Sequence, residues 1–311
     1  MKKLLLMAVA TIMATSVFAQ ETTKKVRLYK DNAVVYERNY SDVDSIVFVD
    51  VPALPEGALS GEFSVSATKK VHFSKGNLQA TTTDLGANWA WGFAEHQWSY
   101  VGNSAANNAI NGDKTVSTNG TVDLFGWSTP ATYYGIHNGK TTSDYSGNFV
   151  DWRNNIGEGW YTLSKDEWGY LFYTRINAAS LFGLGSVNGV NGTIILPDNW
   201  VTPDGASFTP STTQGLADQD GYYSNDNGNN FSHNTYTAEQ WSVMESAGAV
   251  FLPAAGERYG TGVDDVGSEG GYWSSTPLDG YGAYLMFFRS VSLSPKGGSD
   301  RYNGQSVRLV R

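Results

Sequence analysis

The chain has 311 residues, no cysteine, a formal charge of −9, 35 glycines, 14% aromatic residues and only 16% charged residues. The missing cysteines exclude disulfides, thiolate metal sites, cysteine nucleophiles and the lipid anchor of a lipoprotein leader. The acidic balance with scattered basic residues offers no footprint for nucleic acid, and the many glycines and rings suit a loop-rich β protein displaying flat side chains.

Lys2 and Lys3, an apolar stretch from Leu4 to Met13 and the small-residue end Val17-Phe18-Ala19 read as a signal peptide, residues 1–19. That stretch is too short to span a bilayer, and no later run reaches the ~18 apolar residues of a membrane helix. The expected product is an exported protein of about 292 residues, periplasmic or at the cell surface or beyond, with no transmembrane segment and no lipid anchor.

Residues 20–51 read as a small β hairpin unit. Val26-Arg27-Leu28-Tyr29 alternates, Lys30-Asp31-Asn32-Ala33 turns, Val34-Val35-Tyr36 returns, and Ile46-Val47-Phe48-Val49 makes a third strand after the capped turn Ser41 to Ser45. Pro52, Pro55 and Gly57 mark residues 52–60 as a linker, and the main domain is expected over 61–311.

In that domain Phe63-Ser-Val-Ser and Val71-His-Phe-Ser alternate as opening strands, and Trp89, Trp91, Trp98 and Trp127 fall among Gly-Asn turns in long ordered loops. Ser164 with Glu167 three residues on, then Trp168, Leu171 and Phe172, predicts a capped helix. Thr237 with Trp241, Met244 and Ala247 predicts a second, stopped at Gly248. Between them Gly192 to Leu196 reads as a strand, and Asp218 to Asn234 as a polar loop. Ala249 to Pro253, Gly271 to Thr276, Ala283 to Phe288 and Ser306 to Arg311 carry the strongest strand signals.

His72, His96, His137 and His233 lack metal-ligand spacing. Asp264-Asp265 near Glu269 fits either a calcium site or a solvated acidic loop, and Asp218 to Asn230 lacks the glycine and glutamate placement of a calcium loop. Glu167 and Glu239 stand at helix starts, where carboxylates cap, so no paired-acid chemistry is read from them. Trp168, Trp241 and Trp273 lie in the most regular segments and are expected in the core. Trp127, Tyr133, Tyr134, Tyr259, Tyr281 and Tyr302 lie beside turns and are expected at the surface, with packing and binding both open for any one of them.

Several phrases occur in an order that resembles the Fibrobacter succinogenes major paralogous domain, common in exported proteins of Bacteroidetes and Fibrobacteres. They are Val71 to Gln79, Asp123-Leu-Phe-Gly-Trp127, Leu163 to Trp168, Gly248 to Gly256 with Arg258, Gly271-Tyr-Trp-Ser-Ser-Thr276 and Gly304 to Arg308. The resemblance implies an α+β, C-type-lectin-like fold in which two helices flank small twisted antiparallel sheets with long loops. The hairpin unit, through Asp44-Ser45-Ile46, is similar to a short hairpin preceding the main domain of many Bacteroidetes surface proteins. Formylglycine generation, known on a related branch, needs a cysteine pair and is not carried over. The calcium-lectin loop is also missing, with Pro197-Asp198-Asn199-Trp200 a turn.

In lectin-like folds the loops matching Glu257 to Gly270, Pro277 to Gly282 and Ser294 to Asn303 converge on the ligand face. The resemblance therefore implies that Arg258, Tyr259, Asp264, Asp279, Tyr281, Arg301, Tyr302 and Asn303 border it. The function expected is recognition of a glycan or of a surface or extracellular protein, without turnover and with no cofactor. The alternative is a structural or adhesin-like component whose hairpin docks by strand addition. An enzyme on the same fold ranks third.

Overall fold

The computed structural model describes residues 24–30, 33–46, 54–102, 108, 118–136, 142–211, 223–224, 231–260, 262–290 and 292–311. The expected signal peptide, the turn residues 31–32, most of the third strand at 46–49 and most of the loop 218–234 lie outside them. The chain divides into two units, Met1–Ala53 and Leu54–Arg311.

The first unit is a two-stranded antiparallel ribbon of β1 (Lys25–Lys30) and β2 (Ala33–Asn39) with a register shift at Leu28/Tyr29. Glu37 faces two cations of the opposite strand, accepting from Lys25 and, at 2.6 Å, from Arg27. Along its whole length β2 is exposed, including Val34, Val35 and Tyr36. Ile46 is not in a strand.

The second unit, Leu54–Arg311, takes in residues 54–60 of the expected linker. Gly57 accepts from Lys75 N, Leu59 N donates to Phe73, and Leu59 is buried. In order follow β3 (Phe63–Ser64), β4 (Lys70–Val71), β5 (Leu78–Thr82), β6 (Ala90–Phe93), β7 (Gly120–Val122) and α1 (Lys165–Gly169). Then come β8 (Phe182–Val187), β9 (Val190–Ile195), β10 (Tyr223–Ser224), β11 (Thr235–Tyr236), α2 (Ala238–Ser246) and β12 (Val250–Pro253). The last are β13 (Glu257–Tyr259), β14 (Gly262–Asp264), β15 (Glu269–Pro277), β16 (Gly282–Arg289) and β17 (Ser292–Asp300). Two four-stranded sheets, ordered β11-β8-β9-β12 and β10-β17-β16-β15, stand beside the smaller β6-β5-β7, β3-β4 and β13-β14. The described residues thus form a mixed α/β fold of small sheets with two α-helices. None of its helices is long and apolar enough to cross a membrane.

Both helices start as their sequences dictate. Ser164 Oγ accepts from Glu167 N at 3.2 Å while Glu167 Oε2 accepts from Ser164 N at 2.8 Å, and Thr237 and Gln240 repeat the exchange in α2. Helix α1 continues as one π turn, Tyr170–Thr174, which seats Leu171 and Phe172 in the core. Helix α2 buries Trp241 and Met244 and stops at Gly248, whose φ of +99° is open chiefly to glycine.

Two hydrophobic clusters share the segment that ends the unit. One gathers Phe63, Phe73, Trp168, Tyr272 and Val310, and the other Phe125, Trp127, Trp152, Trp273 and Leu309. Residues 304–311 belong to no sheet, correcting the strand expected at Ser306 to Arg311. They form single bridges instead, from Gln305 to Phe125, Ser306 to Tyr272 and Val310 to both Phe73 and Tyr161.

Candidate functional site

Three loops of the C-terminal part meet through their backbones. Hairpin β13-β14 joins the 299–305 loop by Arg258 N to Gly304 O at 2.9 Å and Gly304 N to Arg258 O at 2.7 Å. The 278–282 loop joins it by Arg301 N to Tyr281 O at 3.1 Å. Within 278–282, Asp279 Oδ1 accepts from Tyr281 N at 2.7 Å and from Gly282 N at 2.6 Å. Those two amides, Gly282's foremost, hold the Asp279 carboxyl below its usual range.

Arg301 ties the loops together from within. Its Nε donates to Gly282 O at 3.1 Å, Nη2 to Asp279 O at 2.7 Å and Nη1 to Tyr145 O at 3.2 Å, while the guanidinium lies 4.4 Å over the Trp127 ring. A planar fork of donors satisfies carbonyls that a turn leaves unpaired. Arg258 does the same on the other side, with Nε to Leu124 O at 3.0 Å. Both arginines are buried, at 6% and 0% exposure, so the structure moves them from the border of the face to its frame. Trp127, expected at the surface, is likewise buried and donates from Nε1 to Ser274 O.

Of the tyrosines expected at the surface, Tyr133, Tyr259 and Tyr281 are exposed, whereas Tyr134 and Tyr302 are half-buried. Tyr259 is 60% and Tyr281 64% exposed. Tyr302 is half-buried, packs edge-on to Tyr259 with centroids 6.1 Å apart, and donates to Asp300 Oδ2 at 2.7 Å. That bond, with burial second, pushes the Tyr302 phenol up to about 12. Asp264 and Asp279 are exposed, and Asn303 is half-buried with its amide on Ser299 Oγ at 3.1 Å.

Glu257, Ser299 and Gln305 are members of this frame that the sequence did not disclose. Glu257 Oε2 accepts from Gln305 Nε2 and from Ser299 Oγ, and burial pushes its carboxyl up against the pull of those donors. Only their meeting across 48 residues identifies them. Glu167 caps its helix as read, and Asp265 serves as a turn, its carbonyl accepting from Ser268 N and Glu269 N. Among the described residues no three His, Asp or Glu side chains gather as a metal site. The arrangement can stack a flat apolar face on tyrosine rings and orient polar groups by adjacent carboxylates and amides. No protein-family model, no curated protein and no solved structure matches this chain.

Proposed function

We propose that the chain is an exported recognition protein, without turnover, that grips a glycan or protein ligand through the face formed by its C-terminal loops. The observation that carries this is the exposure of Tyr259 and Tyr281 on a frame whose turns are held from inside by Arg258 and Arg301. A large ring left in water on a braced turn is a surface prepared for contact, because its ordering cost is met before the ligand arrives. The two helices among small sheets are compatible with the C-type-lectin-like scaffold of the Fibrobacter succinogenes major paralogous family, and that assignment belongs to the same proposal.

Glycan-array and protein-pull-down screening of the wild type beside the Tyr281→Ala, Tyr302→Ala double variant tests the reading. Selective binding that drops by about tenfold or more in the variant is expected. Unchanged binding in the variant sinks it. A second reading, a structural component docking by strand addition, has its own support in the exposed β2 strand with Val34, Val35 and Tyr36. Array silence together with capture of a surface partner that requires residues 25–39 would favour it.

A further inference from the structure

A cleft of about 720 Å³ opens in the main unit between residues 149–154 and 159–162, closed by Lys69, Glu167 and Ser275. That volume falls in the range of roughly 300–1,000 Å³ typical of built small-molecule sites. Its inner wall is charged but internally balanced. Glu167 Oε1 accepts from Lys69 Nζ at 2.8 Å and from Tyr161 OH at 3.2 Å, and the Lys69 ammonium sits 3.9 Å over the Tyr161 ring. Asp151 is spent on Arg153 N, Thr162 N and Thr162 Oγ1.

Carboxylates so committed leave no free acid for hydrolysis, and the formal charges of Lys69, Arg153, Asp151 and Glu167 cancel. What remains unspent is the Arg153 cation and the Asn154 amide. Arg153 and Asn154 are exposed at the rim, and neither side chain has a hydrogen-bond or ion-pair partner among the described residues. Phe149, Trp160 and Tyr161 also line the walls and add aromatic surface of the kind on which a sugar ring can lie.

The cleft is joined to the tyrosine face in two ways. Ser275 lines it, and three residues on, roughly 10 Å of extended chain, Leu278 is 43% exposed beside Tyr281 in the 278–282 loop. Phe149 and Val150 also line it, and just before them the carbonyls of Tyr145 and Gly147 receive Arg301 Nη1, at 3.2 and 3.5 Å. One arginine thus braces both the loop face and the cleft wall.

We propose that the ligand surface runs from the Tyr259–Tyr302 pair past Tyr281 and Leu278 into this cleft, and that it takes a neutral oligosaccharide chain long enough to occupy both parts. The proposal rests on the loop-face reading and narrows its ligand class. Rings stack along the tyrosines, and hydroxyls of the same chain meet Arg153 and Asn154 in the cleft.

Calorimetric titration with a graded panel of neutral mono- to hexasaccharides tests it on the full chain. Affinity should rise with chain length. The Arg153→Ala, Asn154→Ala double variant should bind the best hexasaccharide about tenfold more weakly, the loss of one or two hydrogen bonds, while disaccharide binding stays within about twofold of wild type. The Tyr281→Ala, Tyr302→Ala variant should weaken both. A hexasaccharide bound equally by wild type and the cleft variant overturns the cleft while sparing the loop face. Binding of proteins but of no saccharide overturns the ligand class. Saccharide binding untouched by the tyrosine variant overturns both readings together.

Discussion

Asp123 shows how one residue can hold a loop. It is fully buried, with Oδ2 accepting from Val101 N at 2.6 Å and Oδ1 from Asn108 Nδ2 at 2.8 Å, while Asn108 Oδ1 receives the amides of Asp123 and Leu124. Burial, opposed by those donors, pushes its carboxyl from 3.8 up to about 6. A carboxyl raised in the folded state favours folding while protonated. Its contribution is present below about pH 3.8 and is lost as pH rises through about 6. The 13C carboxyl resonance of Asp123 should therefore titrate near pH 6, and a midpoint near 4 would contradict its burial. The same residue scale explains which site members could be read in advance. A tyrosine beside a turn declares its position, but whether anything covers it does not show in the sequence, so Trp127 was expected outside and is inside. Arginines mislead in the opposite sense, because the long stems of Arg258 and Arg301 carry the fork inward to unpaired carbonyls.

At the scale of elements, the helix starts were legible because capping is local chemistry, complete within four residues. The end of α2 is less local. A Cβ on Gly248 would stand 2.7 Å from Gly61 Cα, and one on Gly61 would stand 2.2 Å from Gly248 O, so two glycines distant in sequence press together. Gly248→Ala, forced into a φ of +99° against that backbone, should cost at least about 2 kcal/mol, measured by urea unfolding. A smaller loss would mean that this contact yields. Strands β8 and β17 escaped the sequence reading for physical reasons. Strand β8 alternates glycine at 183 and 185, where Cβ atoms would strike Thr209 O and Asn234 O, so a close neighbour and not strand propensity dictates its composition. Strand β17 contains Pro295, tolerated because the register with β16 shifts between Leu285 and Phe287, where the ladder does not call on its missing amide. The β8-β9 turn at Asn188-Gly189, with φ of +51° and +79°, is the short-range hairpin signal that would have found β8.

For the molecule as a whole, the segment 304–311 is the common partner. Val307, Leu309 and Val310 are buried, and Arg308 reaches Asn77 Oδ1 at 3.3 Å and Gln97 Oε1 at 2.9 Å. Its backbone receives the amides of Ser74, Leu78, Phe125, Tyr161 and Trp273. Removing residues 306–311 should abolish cooperative unfolding of the main unit, read by near-ultraviolet circular dichroism and protease resistance. A truncated chain that melts like the full one would refute this role. Because these partners are separated by up to roughly 230 residues, their loops close late and slowly. Until this segment docks, neither large cluster is complete, so on refolding from urea the protection of both should arise together and last.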